Sequence, residues 1–258
     1  MKRVIRSIIT LVMLSCPMLT NAQSKVEADV QVDLVSRHIW RGQDYGKISL
    51  QPQGTISYQG FYLSGFGSTG FSGDDIDRID LSLGYKAPFG VNIGVSDNYR
   101  SGVDKYNRYF DYEEKTTGHR FEGNLGFSCK YFSLQGYCIF MGNDFKLNGD
   151  RAYSTYIELS VPFRLAQVDW LVKAGVTPME SAGWRGDGTD GDYLDNYLYA
   201  DGFGCSLASV RATKVIHIKN SKVDIPVFAE LMPTLSRSVP YCSAVSPLSR
   251  LNSVKCRV

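Results

Sequence analysis

Three histidines, His38, His119 and His217, are the residues of this chain best suited to moving a proton near neutral pH. A hydrolytic dyad or triad needs a nucleophile and a base within hydrogen-bond reach, with a third group orienting the base. His38 and His119 fall beside long polar links, where Asp44, Asp74, Asp75 or Asp111 could complete a carboxylate–histidine site. Neither a Gly-x-Ser-x-Gly motif nor a paired Asp-x-His spacing accompanies them, so no enzyme is expected. His217 lies between Ile216 and Ile218 and reads as structural.

The loop Gly186-Asp187-Gly188-Thr189-Asp190-Gly191-Asp192 is acidic and glycine-rich, as calcium loops are. Thr189 and Gly191 stand where an EF-hand would need ligands, so Asp187, Asp190 and Asp192 are loop ligand candidates without a metal. Trp40 and Arg41, followed by Gly42, are a second pair of loop candidates, either for ligand contact or for shaping a turn. Beyond residue 22, Cys129, Cys138, Cys205, Cys242 and Cys256 show no CxxC pair and no zinc spacing. No cofactor is expected.

The elements that must position these residues are strands. Ala28, Val30, Val32 and Leu34 share one face while Asp29, Gln31 and Asp33 share the other; Ile79, Leu81, Leu83 and Tyr85 alternate with Asp80 and Ser82. The same period recurs over 28–36, 48–58, 61–67, 78–86, 89–97, 120–128, 131–141, 151–162, 167–176, 203–216 and 222–230, eleven expected strands. A chain with 25 glycines and 12% aromatic residues suits them.

Short connections (59–60, 86–88, 129–130, 163–166 and 218–221) alternate with long polar ones (37–47, 68–77, 98–119, 142–150 and 177–202). Aromatics flank the short ones: Tyr58, Phe61 and Tyr62; Tyr85 and Phe89; Phe127, Tyr131 and Phe132. Rings with an apolar body and a polar edge collect at membrane–water boundaries. No stretch beyond residue 22 is long and apolar enough for a spanning helix, and only a closed sheet leaves no backbone group unpaired in lipid. The expected fold is therefore all-β: a transmembrane antiparallel up-and-down β-barrel of about 12 strands, both ends periplasmic, in the Gram-negative outer membrane.

Residues 1–22 read as a cleaved secretory signal peptide, with Lys2, Arg3 and Arg6 before an apolar run from Ile8 to Leu14 and Thr20-Asn21-Ala22 at the cut. A lipoprotein reading through Leu14-Ser15-Cys16 competes, but Met13 and Pro17 suit it poorly. Of 28 basic residues three lie in this leader and four beyond Glu230, which leaves 21 against 26 acidic ones over 23–230, a balance of −5. Such a body offers no basic surface to nucleic acid.

The segment Ile39-Trp40-Arg41-Gly42-Gln43-Asp44, with Gln51-Pro52 and Tyr58-Gln59-Gly60-Phe61, resembles the TorF-like porins and related Gram-negative outer-membrane β-barrel proteins of unknown function. The stretches 151–158 and 225–228 fit the same pattern, and the resemblance spans roughly residues 27–230. It implies an outer-membrane barrel with a pore role, without a defined substrate or any catalytic residue.

If the apolar residues face lipid, the other face receives Asp29, Asp33, Asp80, Glu122, Glu158, Asp169, Asp224 and Glu230, with Lys173 the clearest opposing lysine. Acids lining a wet channel draw cations. Arginines such as Arg41, Arg120 or Arg151 would instead neutralise them and close the lumen. The leading expectation is passive passage of small polar solutes or cations. A closed barrel presenting large surface loops for binding or attachment stands second, and a barrel enzyme third. Expected partners are outer-membrane lipid, the outer-membrane assembly machinery and those solutes.

Residues 231–258 break the pattern. Pro233, Pro240 and Pro247 stand among serines, and four basic residues are unmatched by any acid. Proline removes a ladder donor. The expectation is an atypical basic tail in place of a closing strand, either the product of a shifted reading frame or a genuine plug, with 28–36 and 222–230 left as open edges.

Overall fold

Period-two alternation resolves into strands throughout. The computed structural model describes residues 26–45, 48–71, 77–101, 108–185, 195–217, 224–233, 242–244 and 248–257, the side chains of 217, 224, 225, 233 and the last two stretches excepted. In chain order the strands are β1 (Glu27–Val35), β2 (Ile39–Trp40), β3 (Gln43–Asp44), β4 (Ser49–Tyr58), β5 (Phe61–Gly70), β6 (Arg78–Lys86), β7 (Val91–Arg100), β8 (His119–Ser128) and β9 (Ser133–Gly142). They continue as β10 (Thr155–Leu165), β11 (Val168–Thr177), β12 (Gly183–Arg185), β13 (Asp195–Tyr197), β14 (Gly204–His217), β15 (Asp224–Pro233), β16 (Cys242–Ala244) and β17 (Leu248–Arg257). Every long strand overlaps one of the eleven expected segments except β17.

One antiparallel sheet runs in the order β14-β11-β10-β9-β8-β7-β6-β5-β4-β1-β17-β15-β16, and β14 also pairs with β15. Two two-stranded ribbons, β2–β3 and β12–β13, stand apart from it. β14 meets β15 from Val210↔Leu231 to His217↔Asp224, whereas β15 meets β17 only at Val227↔Ser249 and Phe228↔Leu248. β17 runs along β1 from Glu27↔Arg257 to Asp33↔Arg250, with a bulge between Val30 and Val32. Part of the basic tail, Leu248–Arg257, is thus a strand. Its segment 248–257 contains no proline, so no ladder donor is missing.

The short connections turn on left-handed backbone. Gln59 (φ 50°) and Gly60 (φ 88°) join β4 to β5, and Ala166 (φ 51°) with Gln167 (φ 59°) joins β10 to β11. Two successive positive φ values match the right-handed twist of the flanking strands. The second turn lies later than the expected 163–166, because Val161–Leu165 stay in register with Val168–Val172. β10 likewise starts at Thr155 rather than 151, since Ser154 is held by the Asp144 carboxylate through both its N–H (3.0 Å) and its hydroxyl (2.5 Å). The expected short connection 218–221 lies outside the described residues.

The two faces of the sheet differ in kind. Leu63, Leu83, Ile93 and Leu125 sit on one face at 55–61% exposure. Glu122, Arg78 and Glu230 sit on the other at 3–5%. Against this polar face fold the β2–β3 ribbon and the long link between β11 and β14. Together they bury Ile139, Ala152, Tyr156, Ala182, Leu198, Tyr199 and Leu207, with Trp40, Tyr137 and Met232 packed alongside.

Candidate functional site

The β2–β3 ribbon turns at Arg41 (φ 52°) and Gly42 (φ 85°). A Cβ at residue 42 would collide with the Ser206 carbonyl oxygen of β14, so glycine serves both the left-handed turn and the close approach. The turn presses Arg41 onto the polar face. Its guanidinium donates to both Glu122 oxygens (2.5 and 2.8 Å) and to the Tyr199 hydroxyl (2.8 Å). The rings of Tyr137, Trp40 and Tyr156 surround it with centroids 4.0, 4.4 and 4.8 Å from Cζ. Burial opposes the charge, yet Glu122 and the neighbouring hydroxyls hold Arg41 above the usual guanidinium range.

Trp40 is shared between two cations, because the Arg78 guanidinium lies 4.1 Å from its ring centroid. Arg78 also donates to Asp80 (2.7 Å) and to the Asn98 side-chain oxygen (3.2 Å). Beneath the ribbon, His38 Nδ1 contacts the Ser68 hydroxyl at 2.9 Å. Burial, followed by the Arg78 charge, pushes His38 down to about 4 against a smaller upward pull from Asp44.

Among the pore-lining candidates, Asp80 is engaged by Arg78, Glu122 by Arg41 and Glu230 by Arg211 (2.7 Å) and Ser209 (2.8 Å). Glu158 accepts from the Tyr156 and Ser160 hydroxyls at 2.9 and 3.1 Å, with Lys173 at 3.8 Å. Asp33 accepts from Gln31 at 2.7 Å. Asp29 is exposed, and Asp169 lies exposed at the short-turn end, 3.6 Å from Arg164. The Asp224 side chain lies outside the described residues, as do the loop ligand candidates Asp187, Asp190 and Asp192. Arg41 thus neutralises an acid of the polar face. Arg151 pairs with Glu114 in a loop instead, and Arg120 forms no ion pair among the described residues. A cavity of about 370 Å³ remains on the polar face, bounded by Asp33, Gln51, Gln53, Arg78, Asp80 and Glu230.

His119 meets a carboxylate, but not one of those anticipated. Nδ1 lies 2.8 Å from Asp97, and Nε2 approaches the Tyr109 carbonyl at 2.5 Å. The pair sits on the apolar face, where Tyr99, Tyr109, Tyr112 and Phe121 enclose the fully buried ring. Both ring nitrogens are engaged, so neither is left to activate a nucleophile. Asp111 is held locally by Thr116, and Arg37 pairs with Asp44, while Asp74 and Asp75 lie outside the described residues. His217 ends β14 opposite Asp224. Among the described residues no cluster of His, Cys, Asp or Glu could hold a metal ion.

Sequence reasoning passed over Arg78, Asn98 and Arg100. Parity could have found the first, since Arg78 precedes Asp80 by two and must share its face. No family model matches the chain, and no curated protein matches it.

Proposed function

We propose that the chain is an outer-membrane β-barrel whose narrow, ribbon-plugged lumen passes small polar solutes selectively. The observation that carries this reading is the inverted distribution of its side chains, with large apolar residues exposed on one face of the sheet and charges buried on the other. In water each exposed leucine forgoes about 2 kcal/mol that burial would supply; in a bilayer the same face is satisfied. The chain of pairings from β15 through β14 to β1 and β17 is compatible with closure, which lipid requires. Aromatic pairs near the short turns, Phe61–Tyr85 (4.8 Å) and Phe127–Phe132 (5.9 Å), suit a boundary belt. Export through residues 1–22, insertion by the outer-membrane assembly machinery and kinship with the TorF-like porins belong to the same proposal.

The acids expected to draw cations are mostly engaged by arginine or lysine, so the proposed path discriminates by size and polarity more than by positive charge. A second reading, a closed barrel acting through its surface loops, is favoured by the Arg41–Glu122 bridge and the apolar cluster beside it. Refolded protein should migrate differently before and after boiling and should show small unitary currents in planar bilayers. Heat-modifiable protein without current would favour the closed barrel, and recovery entirely in the soluble periplasmic fraction would refute both.

A further inference from the structure

Asn98 and Arg120 stand directly opposite each other on β7 and β8, both facing the polar side. Asn98 is 7% exposed and Arg120 8%. Each carries a fully buried donor, Asn98 Nδ2 and Arg120 Nη1, without a hydrogen-bond partner among the described residues. Their other contacts are accounted for: Asn98 Oδ1 accepts from Arg78, and Arg120 Nε donates to the Asn143 carbonyl at 2.7 Å.

Among the described residues the neighbourhood gathers three guanidinium groups, those of Arg78, Arg100 and Arg120. Arg100 lies two residues beyond Asn98 on the same face, directly opposite Arg78. Like charges facing each other across a ladder are unfavourable. Arg78 is answered by Asp80; the Arg100 guanidinium donates to the Tyr45 hydroxyl (2.8 Å), and neither Arg100 nor Arg120 forms an ion pair among the described residues. Asp144 is fully buried, accepts from Ser154 and lies near enough for its charge to act on Arg120, which leaves Arg100 as the guanidinium without an acid among the described residues. Two buried donors on facing residues without an acceptor among the described residues are costly unless something accepts from them.

We infer that Asn98, Arg100 and Arg120 form a binding site for a small oxyanion, a carboxylate or a phosphate, on the luminal wall. The guanidinium fork matches planar carboxylate and phosphate oxygens, and the amide adds a donor from the neighbouring strand. An oxyanion there satisfies both orphan donors and the charge excess at once. The inference rests on the barrel reading for how the anion arrives, while binding itself requires only the fold.

The test compares thermal unfolding of the full refolded chain in detergent with acetate, inorganic phosphate or chloride at matched ionic strength. At about ten times its Kd the bound oxyanion should raise the midpoint by roughly 3–5 °C over chloride, and whichever of acetate and phosphate acts at lower concentration identifies the preferred class. Arg120→Gln removes one of the two orphan donors and should lose the response. Arg100→Gln should weaken the response several-fold and keeps the test decisive if Arg120→Gln fails to fold. An unresponsive wild type, meaning that water alone satisfies the donors, overturns the site. So does an equal shift in chloride, or a response that survives in both variants. A response without bilayer current leaves the site standing and removes the passage reading.

Discussion

Replacing Arg41 by methionine strips Glu122 of both guanidinium hydrogen bonds while leaving it only 3% exposed. Removing one partner of a buried ion pair destabilises by about 3–5 kcal/mol, because the remaining charge can neither hydrate nor find another partner. The three rings around Arg41 lose their cation as well, at up to about 2 kcal/mol for a desolvated contact, which puts the loss at the upper end of that range. Glu122→Gln strands the guanidinium instead and should cost a similar amount. The double variant leaves neither charge exposed to the mismatch, so its loss should be close to that of one single variant, a coupling about as large as the other single loss, roughly 4–5 kcal/mol. Urea unfolding followed by tryptophan fluorescence in detergent micelles measures all three; urea is chosen because guanidinium could occupy the vacated cage. Strictly additive losses, or an Arg41→Met variant within about 1 kcal/mol of wild type, would refute the idea that this pair anchors the ribbon.

His38 is pushed down to about 4 when folded, while in the unfolded chain it titrates near 6.5. Between those values the unfolded state holds the extra proton, so stability is full above pH 6.5 and declines towards pH 4 by about 3 kcal/mol; His38→Gln should flatten that part of the profile, and an unchanged slope would rule His38 out. Gly42→Ala meets both a left-handed backbone and the Ser206 carbonyl, so it should destabilise by more than about 1 kcal/mol and raise bilayer current by displacing the ribbon. Leu125→Arg on the apolar face should reduce the folded, heat-modifiable fraction in bilayers, by up to about 2–4 kcal/mol near the membrane midplane; efficient folding of that variant would argue against lipid contact there. Reversal potentials in a salt gradient should be small for wild type and move towards anion preference in Glu122→Gln, whereas strong cation preference would show the paired acids to be accessible after all.

Strand order and facing were readable because a half-buried strand cannot avoid period two: Ile79, Leu81, Leu83 and Tyr85 announce β6, and Asp80 must then face the opposite way. Strand ends were less legible where side chains bond locally, as Ser154 does to Asp144. The acids of the polar face followed from the same parity, but their partners did not. Arg41 reaches Glu122 across 81 residues through a ribbon inserted onto the wall, and no local pattern encodes where a polar link will fold. His119 shows the converse: its proximity to some carboxylate was foreseeable, but Asp97 was hidden because an acid at an apolar-face position looks like a pattern error until an aromatic cover explains it.

The cage around Arg41 also has a consequence for time. Its walls come from Glu122, Tyr137, Tyr156 and Tyr199, and the turn itself leans on Ser206, so residue 41 must wait until β8, β9, β10 and β14 stand side by side. Contacts this distant in the chain close late, since the entropy of ordering the intervening segments precedes their reward. The ribbon is therefore expected to dock last, with Glu122 hydrated on the polar face of the nascent sheet until then. In a refolding time course, protection of β4–β11 backbone amides should precede the change in Trp40 emission, as a vessel is finished before it is stoppered.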